Sequence, residues 1–188
     1  MWDELTVERF RIAEEYRNGE NSYYAPYNRL LSIVFPPDSR YTVEPVTHPI
    51  GTRKTIEYMV TMQLGHKIFP VLVVEIKSPD SLQSLSARRE ANEQIANRYA
   101  SIGNQCPLEI FYAIIAFGTM ISIYTLDKSS GTIAPSYPPA DRQRLNDNVP
   151  EDAWNIDVLE ENGANTINEV FTDVQRMCEN LRARLSAD

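Results

Sequence analysis

The sequence predicts an α/β domain with a central mixed sheet and helices on both faces, and three observations carry that expectation. The nearly unbroken apolar run Ile68-Phe69-Pro70-Val71-Leu72-Val73-Val74 is what a strand covered on both faces requires. Segments rich in β-branched and aromatic residues lie on both sides of it, and apolar residues at helical spacing recur near both chain ends and directly after the run. The 188 residues, 43% hydrophobic and 10% aromatic, suffice for one domain with a core. That domain has its centre at 22–126, a loop-rich stretch at 127–164 and a closing helix at 165–185.

In chain order, residues 3–17 place Leu5, Arg9, Ile12, Ala13 and Tyr16 at helical spacing, with Glu8, Glu14 and Glu15 on the polar side. A second helix at 22–35 carries Tyr23, Tyr27, Leu30, Leu31 and Val34 before Pro36-Pro37 stops it. Residues 41–46 and 55–62 read as strands joined by a turn at Gly51-Thr52-Arg53-Lys54. The central strand follows at 68–77. Residues 78–81 supply a helix cap and 82–102 the helix, closed by Gly103-Asn104. Strands at 109–117 and 120–126 form a hairpin about Gly118-Thr119. Residues 127–150, with Pro135, Pro138, Pro139 and Pro150, read as a long surface loop. The last helix aligns Ile167, Val170, Phe171, Val174, Met177, Cys178 and Leu181 in one apolar stripe.

Composition narrows the function. No apolar run approaches the roughly 20 residues that span a bilayer, and the N-terminal residues are too charged for a signal peptide, so neither membrane nor secretory route is expected. Cys106 and Cys178 lie far apart and no Asn-x-Ser/Thr acceptor occurs, which fits a reducing intracellular compartment, cytoplasm or nucleus. His48 and His66 share no metal-ligand spacing with the cysteines, which gives no support to a zinc site or a His-Cys pair. With 18 Lys+Arg against 26 Asp+Glu, the net charge of −8 disfavours nonspecific nucleic-acid binding by counterion release. Carboxylates that hold a divalent cation escape that argument, because the ion reverses the local field.

The end of the central strand is unusual. Glu75 and Lys77 alternate with Ile76, so period-two geometry points both charges to one face. Glu57, in the preceding strand, is in the right segment to meet Glu75 across a hairpin. Two carboxylates so placed can share a hard divalent cation through oxygen, with Lys77 beside them to orient a water or stabilise charge. The alternative is an ordinary charge pair at a solvated strand end. On the following helix, Arg88 falls on the buried stripe with Ala91, Ile95, Tyr99 and Ile102. It reads either as a structural partner of Glu75 or of a strand-end carbonyl, or as a phosphate clamp. Gln94 and Arg98, four residues apart, share a flank of that helix. Tyr23, Tyr24, Tyr27 and Tyr124 suit base stacking or core packing. The acidic run at 147–161 suits a solvated face or a basic partner.

Over residues 22–126, this order of helix, three-strand meander, helix and strand, with Glu57 in the second strand and Glu75-Ile76-Lys77 ending the third, resembles the PD-(D/E)XK nuclease superfamily. The whole chain is similar to uncharacterised fungal members of it. The resemblance implies a restriction-endonuclease-like core and Mg²⁺- or Mn²⁺-dependent hydrolysis of phosphodiesters. It implies that Glu57, Glu75 and the carbonyl of Ile76 are metal ligands and that Lys77 is the catalytic lysine. Arg88, Gln94 and Arg98 are the residues placed to bind a nucleic-acid substrate, Gln94 resembling a Gln that some members carry on this helix. Glu57 stands where the family usually has Asp, and 22–35 contains no acid where many members place a Glu. The same fold without turnover, as a protein- or nucleic-acid-binding module, is the alternative.

Overall fold

The computed structural model describes residues 1–16, 19–47, 56–138 and 147–187. Two helices open the chain, α1 (Glu4–Tyr16) and α2 (Asn21–Val34). Three strands follow, β1 (Tyr41–Thr47), β2 (Ile56–Leu64) and β3 (Lys67–Lys77), then α3 (Leu85–Ile102) and the hairpin β4 (Ile110–Phe117) and β5 (Met120–Asp127). The short strands β6 (Ile133–Ala134) and β7 (Ile156–Asp157) precede α4 (Glu161–Ala187). The turn expected at Gly51-Thr52-Arg53-Lys54, with His48, lies outside the described residues.

The strands form one mixed, mostly antiparallel sheet in the order β1-β2-β3-β4-β5-β6, with β7 also pairing β5. The parallel pair is β3–β4, because a helix-length crossover joins those two strands whereas tight turns serve antiparallel neighbours. That crossover is α3. Its Tyr99 packs on Phe111, while the next residue, Tyr112, bonds Asp173 of α4 at 2.9 Å. Alternate residues of a strand face opposite ways, so α3 covers one face and α4 the other. Helices α1 and α2 join α4, where Phe35 and Trp2 pack on Phe171 and Phe10 meets Tyr27 edge-on. From Pro70 to Ile76 every residue of β3 is buried, as a strand with helices on both faces should be.

Four expectations need correction. Of the stripe expected on α1 only Ala13 is buried, together with Thr6 and Phe10, while Leu5, Ile12 and Tyr16 stay exposed. Phe10 is fully buried, its ring edge-on to Tyr27. Residues 79–81 form a short 3₁₀ turn, and the cap of α3 is Ser84, whose hydroxyl accepts from the Ala87 N–H. The described part of 127–150 is not all surface loop: β6 pairs β5, and Asn148 and Val149 are buried. Nor is 147–161 simply a solvated face, because Trp154 and Val158 enter the core and β7 joins the sheet. Acids set the charge pattern there, but three apolar side chains set the packing. Among the described residues no helix is long and apolar enough to cross a membrane.

Candidate functional site

The register of β2 on β3 places Tyr58 opposite Val74, and one step further along that antiparallel ladder sets Glu57 opposite Glu75. Tyr58 points toward α2, where its hydroxyl donates to the Tyr24 carbonyl at 2.9 Å. Glu57 and Glu75 therefore point to the α3 face, and Lys77 follows Glu75 on that side. The three charged residues meet at one end of the sheet, as their spacing predicts.

Burial makes the meeting consequential. Glu75 is only 1% exposed, while Glu57 and Lys77 are half-buried. The Glu57 carboxyl is pushed up to about 8, first by burial, then by its contact with the Glu75 carboxyl and that group's charge, while Lys77 pulls it down. Oε2 of Glu57 and Oε2 of Glu75 are both buried without a hydrogen-bond donor among the described residues. Two acceptors cannot satisfy one another, so the pair calls for one positive particle between them: a proton, or a cation with oxygen ligands. Ile76 is fully buried and pairs with Ala116 of β4.

The far end of the same carboxylate is already taken. Arg98 Nε donates to Glu75 Oε1 at 2.6 Å, with the two side chains 3% and 1% exposed. Arg98 thus fills the place expected of Arg88 as the partner of Glu75, and its burial turns that donor inward, away from any substrate. The signal was present: Arg98 is three residues past Ile95, inside the stripe Arg88, Ala91, Ile95, Ile102 that the helix buries. Gln94, one turn earlier, is half-buried with its Oε1 buried and unbonded.

Arg88 is buried too, but against other partners. Its Nε donates to the Val149 carbonyl at 2.7 Å, Nη1 to the Leu82 carbonyl at 2.7 Å and Nη2 to Asp147 at 2.9 Å. All three nitrogens are engaged inside the protein, which corrects the pairing with Glu75 and leaves no phosphate clamp. Arg89 joins in, donating to Asn148 Oδ1 at 2.5 Å, and Asn148 in turn donates to the Pro138 carbonyl. These two arginines fasten residues 147–149 to the start of α3.

The strand end itself is fixed by the β4–β5 turn. Gly118, at φ +65°, donates to the Lys77 carbonyl at 3.2 Å and accepts from the Tyr27 hydroxyl at 2.9 Å. A Cβ there would stand 2.9 Å from the Pro79 side chain, so the turn can close on the strand end only with glycine. A cavity of about 380 Å³ opens nearby, lined by Glu14, Tyr23, Pro79, Asp80 and Gln83. Its two acids offer nothing to a phosphate. Tyr23, Tyr27 and Tyr124 are core residues, and Tyr24 donates to Glu20, so base stacking finds no exposed ring among these four.

Among the described residues no three His, Cys, Asp or Glu side chains stand together to hold a metal. Comparison of the chain with protein-family models, with curated proteins and with solved structures gives no match.

Proposed function

We propose that the chain is a divalent-metal-dependent nuclease of the PD-(D/E)XK type, with a restriction-endonuclease-like core. One observation carries the reading: Glu57 and Glu75 meet in a buried site with one donorless oxygen each, and Lys77 lies beside them. The donor set suits Mg²⁺ or Mn²⁺, which are commonly held by one or two carboxylates and complete their shells with water and substrate phosphate. Glu57, Glu75 and the Ile76 carbonyl are the ligands in this reading. When bound, the ion supplies Lewis-acid stabilisation of a phosphodiester and a more acidic water. The chain's own residues do the rest. Lys77 donates hydrogen bonds to the charge that develops on the phosphate oxygens. The buried walls around Glu75 exclude bulk water and keep the two carboxylates in fixed relation.

A second reading, the same fold binding a protein or nucleic-acid partner without turnover, is favoured by the ion pair that Arg98 makes with Glu75 and by the absence of any acid in α2. Calorimetric titration of Mn²⁺ into wild type and Glu75→Ala, with cleavage assays on single- and double-stranded DNA and RNA, separates the two. Metal-dependent cleavage lost in Lys77→Ala is the expected result. No heat at millimolar Mn²⁺ and no cleavage would instead establish the binding module.

A further inference from the structure

We infer that Arg98 is an internal counter-ion that competes with divalent metal at Glu75 and thereby keeps the affinity of the Glu57–Glu75 pair for metal low. The inference rests on the metal-site reading above and adds a residue that sets how strongly the site binds.

The geometry is specific. Arg98 Nε reaches Glu75 Oε1 at 2.6 Å, and burial of both side chains prevents either from exchanging its partner for water. Oε2 of Glu75 is left without a donor among the described residues. A cation arriving at that oxygen therefore shares one carboxylate with a guanidinium that cannot lose its charge.

Charge counting gives the consequence. Metal binding requires both carboxyls ionised, and in that form Glu57 and Glu75 are balanced by Lys77 and Arg98, so the four-residue cluster offers the ion no net negative charge. A dication raises it to +2 in a buried setting. Without Arg98 the cluster starts at −1 and the ion brings it to +1.

Arg98 has an opposing effect as well. It holds the Glu75 side chain in one rotamer, and freeing a single glutamate costs a metal site about ten- to thirtyfold in affinity at most. Repulsion between a dication and a unit charge within roughly 6 Å amounts to about tenfold at the dielectric of water, and to much more where water is excluded. In this buried site repulsion outweighs the benefit of the fixed rotamer, so removal of the guanidinium tightens binding.

Arg98→Met, Arg98→Gln and Arg98→Lys are compared with wild type by calorimetric titration with MnCl₂ alone and by thermal melts with and without it. The expected result is Mn²⁺ affinity at least tenfold higher in Arg98→Met, with a larger metal-dependent rise in Tm than wild type shows. Arg98→Gln should behave alike, and it carries the comparison if the Met variant does not fold. Arg98→Lys, which keeps the charge, should stay near wild-type affinity. Folded neutral variants that bind Mn²⁺ no better than wild type overturn the inference and leave the nuclease reading standing. So does an Arg98→Lys variant that tightens as much as Arg98→Met. Binding by the neutral variants with none by wild type supports the inference while removing the nuclease reading. Absence of binding in all four proteins removes both.

Discussion

Two buried arginines on one helix, ten residues apart and so about 15 Å along its axis, are held in opposite ways. Arg88 is held by backbone carbonyls at Val149 and Leu82 and by Asp147, whose side chain is 50% exposed and can turn to water. Arg98 faces a carboxylate that is only 1% exposed. Burial of an arginine therefore says little about its role. The exposure of its partner decides whether the pair fastens a loop or tunes a charged site.

The largest expected effect tests the Arg98 end. Arg98→Met strands a buried carboxylate, and the metal-free protein should lose about 4 kcal/mol of stability in urea unfolding. A loss below about 1 kcal/mol would mean that Glu75 finds water or another donor.

Next comes pH, since a carboxyl next to Glu75 titrates far from its usual range. Glu57 is raised from 4.5 to about 8 in the folded chain, so between those values the folded state holds a proton that the unfolded state has released. Stability from this group is full below pH 4.5, falls as pH rises, and is gone above about 8; the full shift corresponds to about 5 kcal/mol, which solvent reaching the half-buried side chain reduces to about 3 kcal/mol. Glu57→Gln, measured by melts from about pH 5 to about pH 9, should flatten that slope.

Arg88→Met should cost about 2 kcal/mol, because two carbonyls lose donors while Asp147 turns to solvent. The double variant Arg88→Met/Arg98→Met should be additive within about 0.5 kcal/mol at this separation. Smallest of all, Asp147→Asn removes a half-exposed partner, and its Tm should move by an amount corresponding to less than about 1 kcal/mol. Asp147→Asn costing as much as Arg88→Met would erase the distinction between the two ends.

Much of the site was legible because strand geometry is nearly one-dimensional. Period two fixes that Glu75 and Lys77 share a face, and a short connection between two strands makes the meeting of Glu57 and Glu75 an expectation that the register then realises. Helix α3 was harder to read. Its periodicity puts Arg88 on the buried side and Arg98 with Gln94 on a flank, and cannot say which arginine lies over which strand end. The stripe on α1 has a similar origin: Leu5, Ile12 and Tyr16 recur at helical spacing as Phe10 and Ala13 do, and the packing of Phe10 against Tyr27 shows which side is buried.

By itself the sequence determined the class of fold, the central place of the 68–77 strand, the hairpin about Gly118 and the alignment of two acids and a lysine. These depend on local periodicity and on turn residues, which act over a few positions of chain. The tertiary structure alone decided that Arg98 and not Arg88 neutralises Glu75, that Val149, Trp154 and Val158 enter the core, and that the Glu57 carboxyl is pushed up to about 8. Each of those depends on what is excluded from water, and exclusion from water is settled by residues distant in sequence arriving from several directions at once.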